Sequence, residues 1–219
     1  MLYNGDCYKV LDSFALQEFD TVLTDPPYGM NFQSNYGKNG PLHDKIEGDS
    51  QLDLDWIEKC FKITKVGGCI ITFCEWKNSE KFRVKLESVG YVVKSQVIWD
   101  RQHHGMGDLL GSFAPQHDII WYATKGRRTF SNGRPKSILS FKRPSNTENF
   151  GHPTCKPVEL LKELLFKTDD GTHGKVLDPF MGSGSTGVAC KQLGRQFTGV
   201  ELKTEYFNTA KDRIYGEKN

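Results

Sequence analysis

Four consecutive residues, Asp25, Pro26, Pro27 and Tyr28, place a carboxylate, two prolines and an aromatic ring directly after the hydrophobic run FDTVLT. The exocyclic amine of a nucleobase is a weak nucleophile because its lone pair is delocalised into the ring. Asp25 offers an ionised acceptor for one N–H of such an amine. The Pro26 carbonyl, restricted by Pro27, offers a second acceptor, and Tyr28 offers a face for stacking. These four residues are therefore predicted to be catalytic, although Asp-Pro alone is also typical of a simple turn.

A second motif, VLDPFMGSGSTG, places Gly182, Gly184 and Gly187 in GxGxxG spacing between a predicted strand and a predicted helix. Glu201 closes the next strand. By pattern this resembles a dinucleotide-binding turn, in which the acid binds a ribose. Asp178, however, ends the strand where a pyrophosphate would have to approach, and a carboxylate repels a phosphate.

A ligand that carries a cation and no phosphate fits Asp178 and the glycine turn better. S-adenosylmethionine has an ammonium group, a sulfonium, and a ribose for Glu201. Methyl transfer to an amine held by Asp25 depends mainly on placement and electrostatics, so no metal site is predicted. The alternative for this motif is a structural glycine turn with a surface acid.

Helical and strand patterns alternate along the chain and predict an α/β fold with a largely parallel sheet covered on both faces. Strands are predicted at 1–6, 19–25, 67–75, 91–100, 117–126, 174–180 and 195–202, and helices at 7–14, 52–65, 77–90, 156–168, 185–194 and 203–216. Ligands collect at the carboxyl ends of such strands. The two motifs are therefore predicted to face one crevice.

The length of 219 residues predicts a single domain spanning 1–219. Residues 29–50 lack periodicity and are predicted to form a mobile loop near the active site. There is no apolar run of membrane length and no leader pattern, so a cytoplasmic protein without a membrane partner is predicted. The six scattered cysteines indicate buried reduced thiols rather than disulfides or a metal site.

Positive charge is concentrated in one segment although the net charge is only +2. No acidic residue lies between Asp118 and Glu148, whereas seven basic residues do. Such a segment is either a solvated loop or a contact with a polyanion, and the interleaved Phe130 and Phe141 favour nucleic acid. The predicted DNA-binding residues are Lys125, Arg127, Arg128, Arg134, Lys136, Lys142 and Arg143.

Taken together, the motifs resemble the amino-methyltransferases of DNA in their permuted, β-class order. DPPY precedes the cofactor turn, and the basic segment lies between them. HPTCKPVELL at 152–161 resembles the family's stretch before the cofactor turn, and YNGDC resembles its N-terminal cofactor element. Ser185 stands where the family usually has Thr, and Cys155 where it often has Gln.

The resemblance implies a Rossmann-like, S-adenosylmethionine-dependent methyltransferase fold: a seven-stranded, mostly parallel sheet with one antiparallel strand and a circularly permuted motif order. It implies that Asp25, Pro26 and Tyr28 bind a flipped base. The predicted cofactor-binding residues are Asp6, Thr154, Lys156, Asp178, Phe180, Gly182, Gly184, Ser185 and Glu201. A small inserted target-recognition region is placed at 125–151, and its short length predicts a short DNA site or added contacts from a homodimer.

The predicted function is a site-specific methyltransferase that modifies the 6-amino group of a flipped adenine in double-stranded DNA. The resemblance associates Asp before PPY with adenine and Ser with the 4-amino group of cytosine, so a cytosine enzyme is the first alternative. RNA or protein-glutamine methyltransferases commonly carry Asn there. A catalytically inactive DNA-binding module is the alternative from another class. A homodimer and a cognate restriction endonuclease are the partners left open.

Overall fold

The computed structural model describes residues 1–28, 52–105, 110–144 and 155–216. The predicted loop at 29–50 therefore lies outside the described residues. The strands are β1 Leu2–Asn4, β2 Phe19–Thr24, β3 Thr64–Cys74, β4 Val92–Asp100, β5 His117–Thr124, β6 Ile138–Ser140, β7 Val176–Asp178 and β8 Phe197–Glu201. The helices are α1 Cys7–Leu11, α2 Trp56–Ile63, α3 Ser79–Ser88, α4 Val158–Lys167, α5 Ser185–Gln192 and α6 Thr204–Tyr215.

Every predicted helix and strand is present, with ends that shift by a few residues. The helix predicted at 52–65 ends at Ile63, and the backbone becomes extended at Thr64, whose N–H and hydroxyl both donate to the Cys60 carbonyl, the hydroxyl at 2.6 Å. Strand β6 was not predicted. It has three residues inside the basic segment, and only Leu139 of the three is buried, which is too short for a period-2 pattern to be recognised.

The strands form one sheet in the order β1-β8-β7-β2-β3-β5-β4-β6. Strand β5 runs antiparallel to both β3 and β4, and the other pairings are parallel. The predicted mostly parallel sheet with one antiparallel strand is thus confirmed. Eight strands are described rather than seven, because β6 adds to the free side of β4.

Side chains alternate between the two faces of the sheet, as the period of a strand requires. Val22 and Ile70 belong to the core under α1, α2 and α3, whereas their neighbours Leu23 and Ile71 belong to the core under α4 and α5. Helix α6 closes the side of β8 through Ala210. Both faces are covered, so β2 is buried along its whole length and β3 is buried from Gly68 to Cys74.

The direction of the strands defines two edges of the sheet. At the carboxyl edge β1, β2, β3, β4, β6, β7 and β8 end and β5 begins, and at the amino edge the reverse holds. Irregular segments leave the sheet at the carboxyl edge, where their polar groups are free to face a ligand.

All six cysteines are free thiols, and five are buried while Cys155 is half-buried. This agrees with the predicted reduced thiols. Within the described residues no helix is long and apolar enough to cross a membrane.

Candidate active site

The two predicted motifs lie side by side at the carboxyl edge. Strands β2 and β7 are hydrogen-bonded neighbours, with Val22 opposite Leu177. At their ends, the Thr24 hydroxyl donates to the Asp178 carboxylate at 2.7 Å, and this bond is buried. Asp25 follows Thr24 directly, so the predicted catalytic carboxylate and the start of the predicted cofactor turn lie close together at the carboxyl edge.

Both oxygens of the Asp25 carboxylate have partners. The Tyr28 hydroxyl donates to Oδ1, and the Lys156 ammonium donates to Oδ2. The side chains of Lys156 and Asp25 are only 12% and 21% exposed, so this ion pair is largely screened from water. The Lys156 ammonium also lies 5.1 Å from the centre of the Phe73 ring. These contacts fix the plane of the Asp25 carboxylate, and the carboxylate keeps further lone pairs to accept hydrogen bonds.

Lys156 is predicted as a cofactor ligand, and in the structure its ammonium contacts the predicted catalytic carboxylate of Asp25. Lys156 lies just before α4 in the chain. A lysine in a motif indicates that its ammonium pairs with a nearby anion. It does not indicate whether that anion lies in the base-binding motif or in the adjacent cofactor site.

Tyr28 is held at three points. Its ring packs between the cores on both faces of the sheet, and its carbonyl accepts from the Asn78 side chain at 3.2 Å. Burial, and then the charge of Asp25, raise the pKa of Tyr28 well above its ordinary value. The hydroxyl therefore stays protonated and remains a donor to Asp25. Stacking of a base on this ring stays a prediction.

Asp178 is an unusual carboxylate because it is buried at 3% exposure. It accepts from the hydroxyls of Thr24 and Thr186, each at 2.7 Å, and from the Phe180 N–H at 3.1 Å. Burial nevertheless raises the pKa of Asp178 to about 6. Among the described residues the hydrogen-bond partners of this carboxylate are all neutral. A ligand that brings a cation, such as S-adenosylmethionine, fits this site better than a phosphate does.

The glycine turn brings its backbone close to α6. Gly182 and Gly184 have φ of +52° and +82°, which favour glycine. A Cβ on Gly184 would lie 2.8 Å from the Cβ of Ala210, and one on Gly187 would lie 2.3 Å from Ile214. The glycines therefore serve both the turn and the close packing of α6.

Glu201, at the end of β8, holds the same turn from the other side. Its carboxylate accepts from the Gly182 N–H and the Lys203 N–H, each at 2.9 Å. Burial raises the pKa of Glu201. The predicted ribose acid is thus in register with the turn, as the GxGxxG pattern requires.

Two further predicted cofactor residues, Asp6 and Phe180, lie near these two acids. Asp6 follows β1, is exposed, and accepts from the Tyr8 N–H at 2.8 Å, while the neighbouring Gly5 N–H donates to the Glu201 carbonyl at 2.9 Å. Phe180 is half-buried, with its ring 5.4 Å from that of Trp56. Thr154 lies outside the described residues.

Arg213 is a site residue that the sequence analysis missed. From α6 it donates to the Ser183 carbonyl at 2.6 Å and to the Ser185 hydroxyl at 3.3 Å. Ser185 also lies 3.1 Å from the Cys155 thiol, so Arg213 ties the turn to the segment that carries Lys156. Its spacing from Ala210 and Ile214, on one helical face, was the signal available in the sequence.

Two of the predicted DNA-binding residues, Lys125 and Arg128, make contacts within the fold. Lys125 lies at the amino edge, where its ammonium donates to the carbonyls of Phe61 and Thr64 at 2.6 and 2.8 Å and so closes α2. Arg128 has a side chain that is 1% exposed. It donates to the carbonyls of Thr168 and Gly67 and pairs with Asp170.

The remaining basic residues fall into three positions. Arg127 is exposed but shares the turn of Lys125 at the amino edge, about 25 Å along β5 from the carboxyl edge. Arg134 and Lys136 are exposed beside a groove between the sheet and α4. Lys142 and Arg143 are exposed directly after β6, at the carboxyl edge. Of the seven predicted DNA-binding residues, only this last pair directly follows a strand that ends at the same edge of the sheet as β2, which leads to Asp25.

Comparison with known proteins gives consistent relatives. A family model described as DNA methylase, for N6- and N4-methylating enzymes, matches residues 19–212. The type II methyltransferase M.HpaI of Haemophilus parainfluenzae is 30% identical over 241 residues, which cover 98% of this chain and 74% of that protein.

Solved structures give the same picture. A crystal structure of the M1.HpyAVI–SAM complex is similar with a TM-score of 0.77 at 29% identity, covering 98% of each chain. The PvuII methyltransferase, described as cytosine-N4-specific, has a TM-score of 0.78 at 17% identity over 97% of this chain and 85% of that chain, a likeness that shows the fold alone. The predicted methyltransferase fold is confirmed.

Proposed function

Because the chain belongs to the N6/N4 amino-methyltransferase family of DNA, we propose that it methylates the 6-amino group of a flipped adenine in double-stranded DNA. The observation that carries the proposal is the joining of Asp25 to the cofactor turn through the Thr24–Asp178 hydrogen bond. Aspartate before Pro-Pro-Tyr supports adenine over cytosine. The fold does not choose between these bases, since a cytosine-N4-specific enzyme shares it.

The cofactor of the reaction is S-adenosylmethionine, in agreement with the SAM complex of the related M1.HpyAVI. When bound, it supplies an electrophilic methyl group on a sulfonium. The buried Asp178 carboxylate would balance its positive charge, Glu201 would face its ribose, and the glycine turn would leave room for it. These residues exclude water and fix the direction of transfer.

Asp25 acts on the nucleophile. Its carboxylate, held by Tyr28 and Lys156, accepts from an N–H of the target amine, while the Pro26 carbonyl accepts from the other. Two acceptors draw the amine out of conjugation with the ring and aim its lone pair. After transfer the nitrogen is cationic and releases a proton readily, so no strong base is required.

Labelled S-adenosylmethionine and duplex DNA separate an enzyme from a binding module. Wild type is expected to transfer label, and sequencing of the methylated bases identifies adenine or cytosine and the recognised site. Asp25→Ala is expected to abolish transfer while the protein still folds and binds DNA. Binding without any transfer by wild type would favour the inactive module.

Variants of Tyr28 test the roles of its aromatic ring and of its hydroxyl separately. Tyr28→Phe keeps the stacking face and loses the bond to Asp25, so partial activity is expected, whereas Tyr28→Ala should lose nearly all activity. Full activity of Tyr28→Ala, with an unchanged circular dichroism spectrum, would remove this residue from the mechanism.

The proposal extends to two partners. The recognition region at 125–151 is short, and Lys125 and Arg128 within it serve the fold, which supports a homodimer as the DNA-binding form. Light scattering of the protein–DNA complex tests this. A mass equal to that of the DNA plus one 24.9 kDa chain would contradict a homodimer. The relation to a type II enzyme supports a restriction–modification role, which protection of methylated DNA from a cognate endonuclease would test.

A further inference from the structure

The loop that joins β4 to β5 carries two fully exposed apolar side chains, Leu110 and Phe113, at 100% and 101% exposure. Among the described residues the next most exposed large apolar side chain is Leu16 at 74%. Complete exposure of a phenyl ring and a neighbouring leucine on one loop is costly in water. It indicates a surface that becomes covered in a complex.

The base of this loop is firmly held. The Arg101 N–H donates to the Gln116 carbonyl at 3.0 Å, and the Gly105 N–H donates to the Pro115 carbonyl at 2.8 Å. The Arg101 side chain is buried and bonds to Asp118 at 3.2 Å and to the Pro115 carbonyl. Leu110 and Phe113 are therefore presented from an anchored stem.

The stem stands beside the catalytic residues. It leaves the sheet at the carboxyl edge, between the end of β4 and the start of β5. Asp118, which holds Arg101, is close enough to Tyr28 to contribute to its raised pKa. Lys142 and Arg143 are exposed at the same edge, and the charge of Arg143 acts on Arg101. The apolar loop is thus flanked by the active site and by two cations suited to phosphates.

We propose that Phe113, on the loop that also exposes Leu110, enters the DNA duplex as a wedge and fills the space that the target base leaves when it moves onto Tyr28. The proposal rests on the proposed function. A base that leaves the stack exposes the faces of its neighbours, and apolar side chains inserted between base steps replace the missing stacking. The phenyl ring, exposed in the free protein, is thereby covered by bases in the complex.

The experiment uses two duplexes that carry the site found by methylation sequencing. In one, 2-aminopurine replaces the target adenine, and its fluorescence rises when it is unstacked. The other keeps the adenine for the methylation assay, because 2-aminopurine has no 6-amino group to methylate. Phe113→Ala is compared with Phe166→Ala, and Leu110→Ala with Leu16→Ala. Both control residues are exposed and lie toward the amino edge. We expect Phe113→Ala to lose most of the fluorescence rise and about 10- to 100-fold in single-turnover methylation, with unchanged cofactor affinity, and both controls to match wild type.

A second substrate separates a wedge from a general binding surface. When the target adenine faces an abasic site, extruding it costs less, so the methylation rate of Phe113→Ala should return toward that of wild type. If Phe113→Ala and wild type flip the base to the same extent and methylate at the same rate, the wedge proposal is overturned and the proposed function is unaffected. A change in self-association, in place of a change in flipping, would assign the loop to a second copy of the chain and overturn it too. Absence of methyl transfer by wild type would instead refute the proposed function, and the wedge with it.

Discussion

The Thr24 hydroxyl and the Asp178 carboxylate, 154 positions apart in the chain, meet at 2.7 Å in the interior at the carboxyl edge of the sheet. This hydrogen bond joins the strand that ends in the base-binding motif to the strand that ends in the cofactor turn. A shift of either strand by one residue would break it. If the two motifs bind the base and the cofactor as proposed, the distance between the two reactants depends on this hydrogen bond.

Thr24→Val is expected to weaken the site while it preserves the shape of the side chain. A buried carboxylate that loses a hydroxyl donor is destabilised by about 1.5 to 3 kcal/mol. We expect a lower free energy of unfolding in urea and weaker S-adenosylmethionine binding by calorimetry. Thr72→Val is a matched control, since Thr72 is the partner of Thr24 in β3, is also buried, and donates to the Phe73 carbonyl instead. Equal losses of stability and of cofactor affinity in Thr24→Val and Thr72→Val would show that Thr24 has no special role.

The raised pKa of Asp178 predicts a pH dependence of cofactor binding. Protonation of this carboxylate below about pH 6 removes the charge that balances a cationic ligand. Affinity for S-adenosylmethionine should therefore fall as the pH drops from about 7.5 to about 5, and Asp178→Asn should bind weakly with a flatter profile. A profile in Asp178→Asn as steep as that of wild type would assign the titration to another group, of which Glu201 is the nearest candidate.

The same pKa has the opposite consequence for the ligand-free protein. The pKa is raised from 3.8 to about 6 on folding, so the protonated form is the one that folding favours. The stabilisation that Asp178 contributes is complete below pH 3.8 and is lost as the pH rises through about 6. At about 1.4 kcal/mol per pKa unit, this loss lowers the free energy of unfolding by about 3 kcal/mol. Unfolding curves of wild type and Asp178→Asn over this range measure it.

Lys156 variants distinguish a positioning role from cofactor binding. If the ammonium holds Asp25 in place, Lys156→Met should lower kcat by about 10- to 100-fold and leave the KM for S-adenosylmethionine nearly unchanged. Lys156→Arg should restore part of kcat. Lys162→Met, on the exposed side of α4 and paired with Glu159, is the control. A rise in the cofactor KM with kcat preserved would return Lys156 to the cofactor site, as the sequence had predicted.

The effect of removing a basic residue should depend on whether the residue lies at the carboxyl edge or the amino edge of the sheet. Lys142→Ala and Arg143→Ala are expected to weaken DNA binding and to reduce the slope of log affinity against log salt by about 0.9 for each phosphate that is no longer neutralised. Arg127→Ala, at the amino edge, should leave both unchanged. Arg128→Ala should lower the thermal stability instead, because its buried guanidinium joins Thr168, Gly67 and Asp170. A salt slope unchanged in Lys142→Ala and Arg143→Ala would place the duplex elsewhere.

The helices, the strands and the pairing of the two motifs were predictable because their signals are local. Period-2 and helical patterns, and glycines after a strand, each report on a few neighbouring residues. The contacts that the sequence did not predict have the opposite character. Whether Lys125 or Arg128 binds a phosphate or a backbone carbonyl depends on the edge of the sheet at which β5 ends. The residues of β5 alone do not indicate that this strand runs antiparallel to its neighbours. Lys156 and Arg213 likewise find their partners only across the assembled fold.

Strand β1 pairs with β8, with Leu2 opposite Gly199, so the first and the last strands of the described sheet to be synthesised are neighbours. In the described sheet β1 has no other hydrogen-bonded neighbour. On the ribosome, β1 must therefore wait until β8 has emerged, and Asp6 cannot approach Glu201 before then. Because the predicted cofactor site includes both Asp6 and Glu201, we expect this site to form only after all of the sheet has left the ribosome.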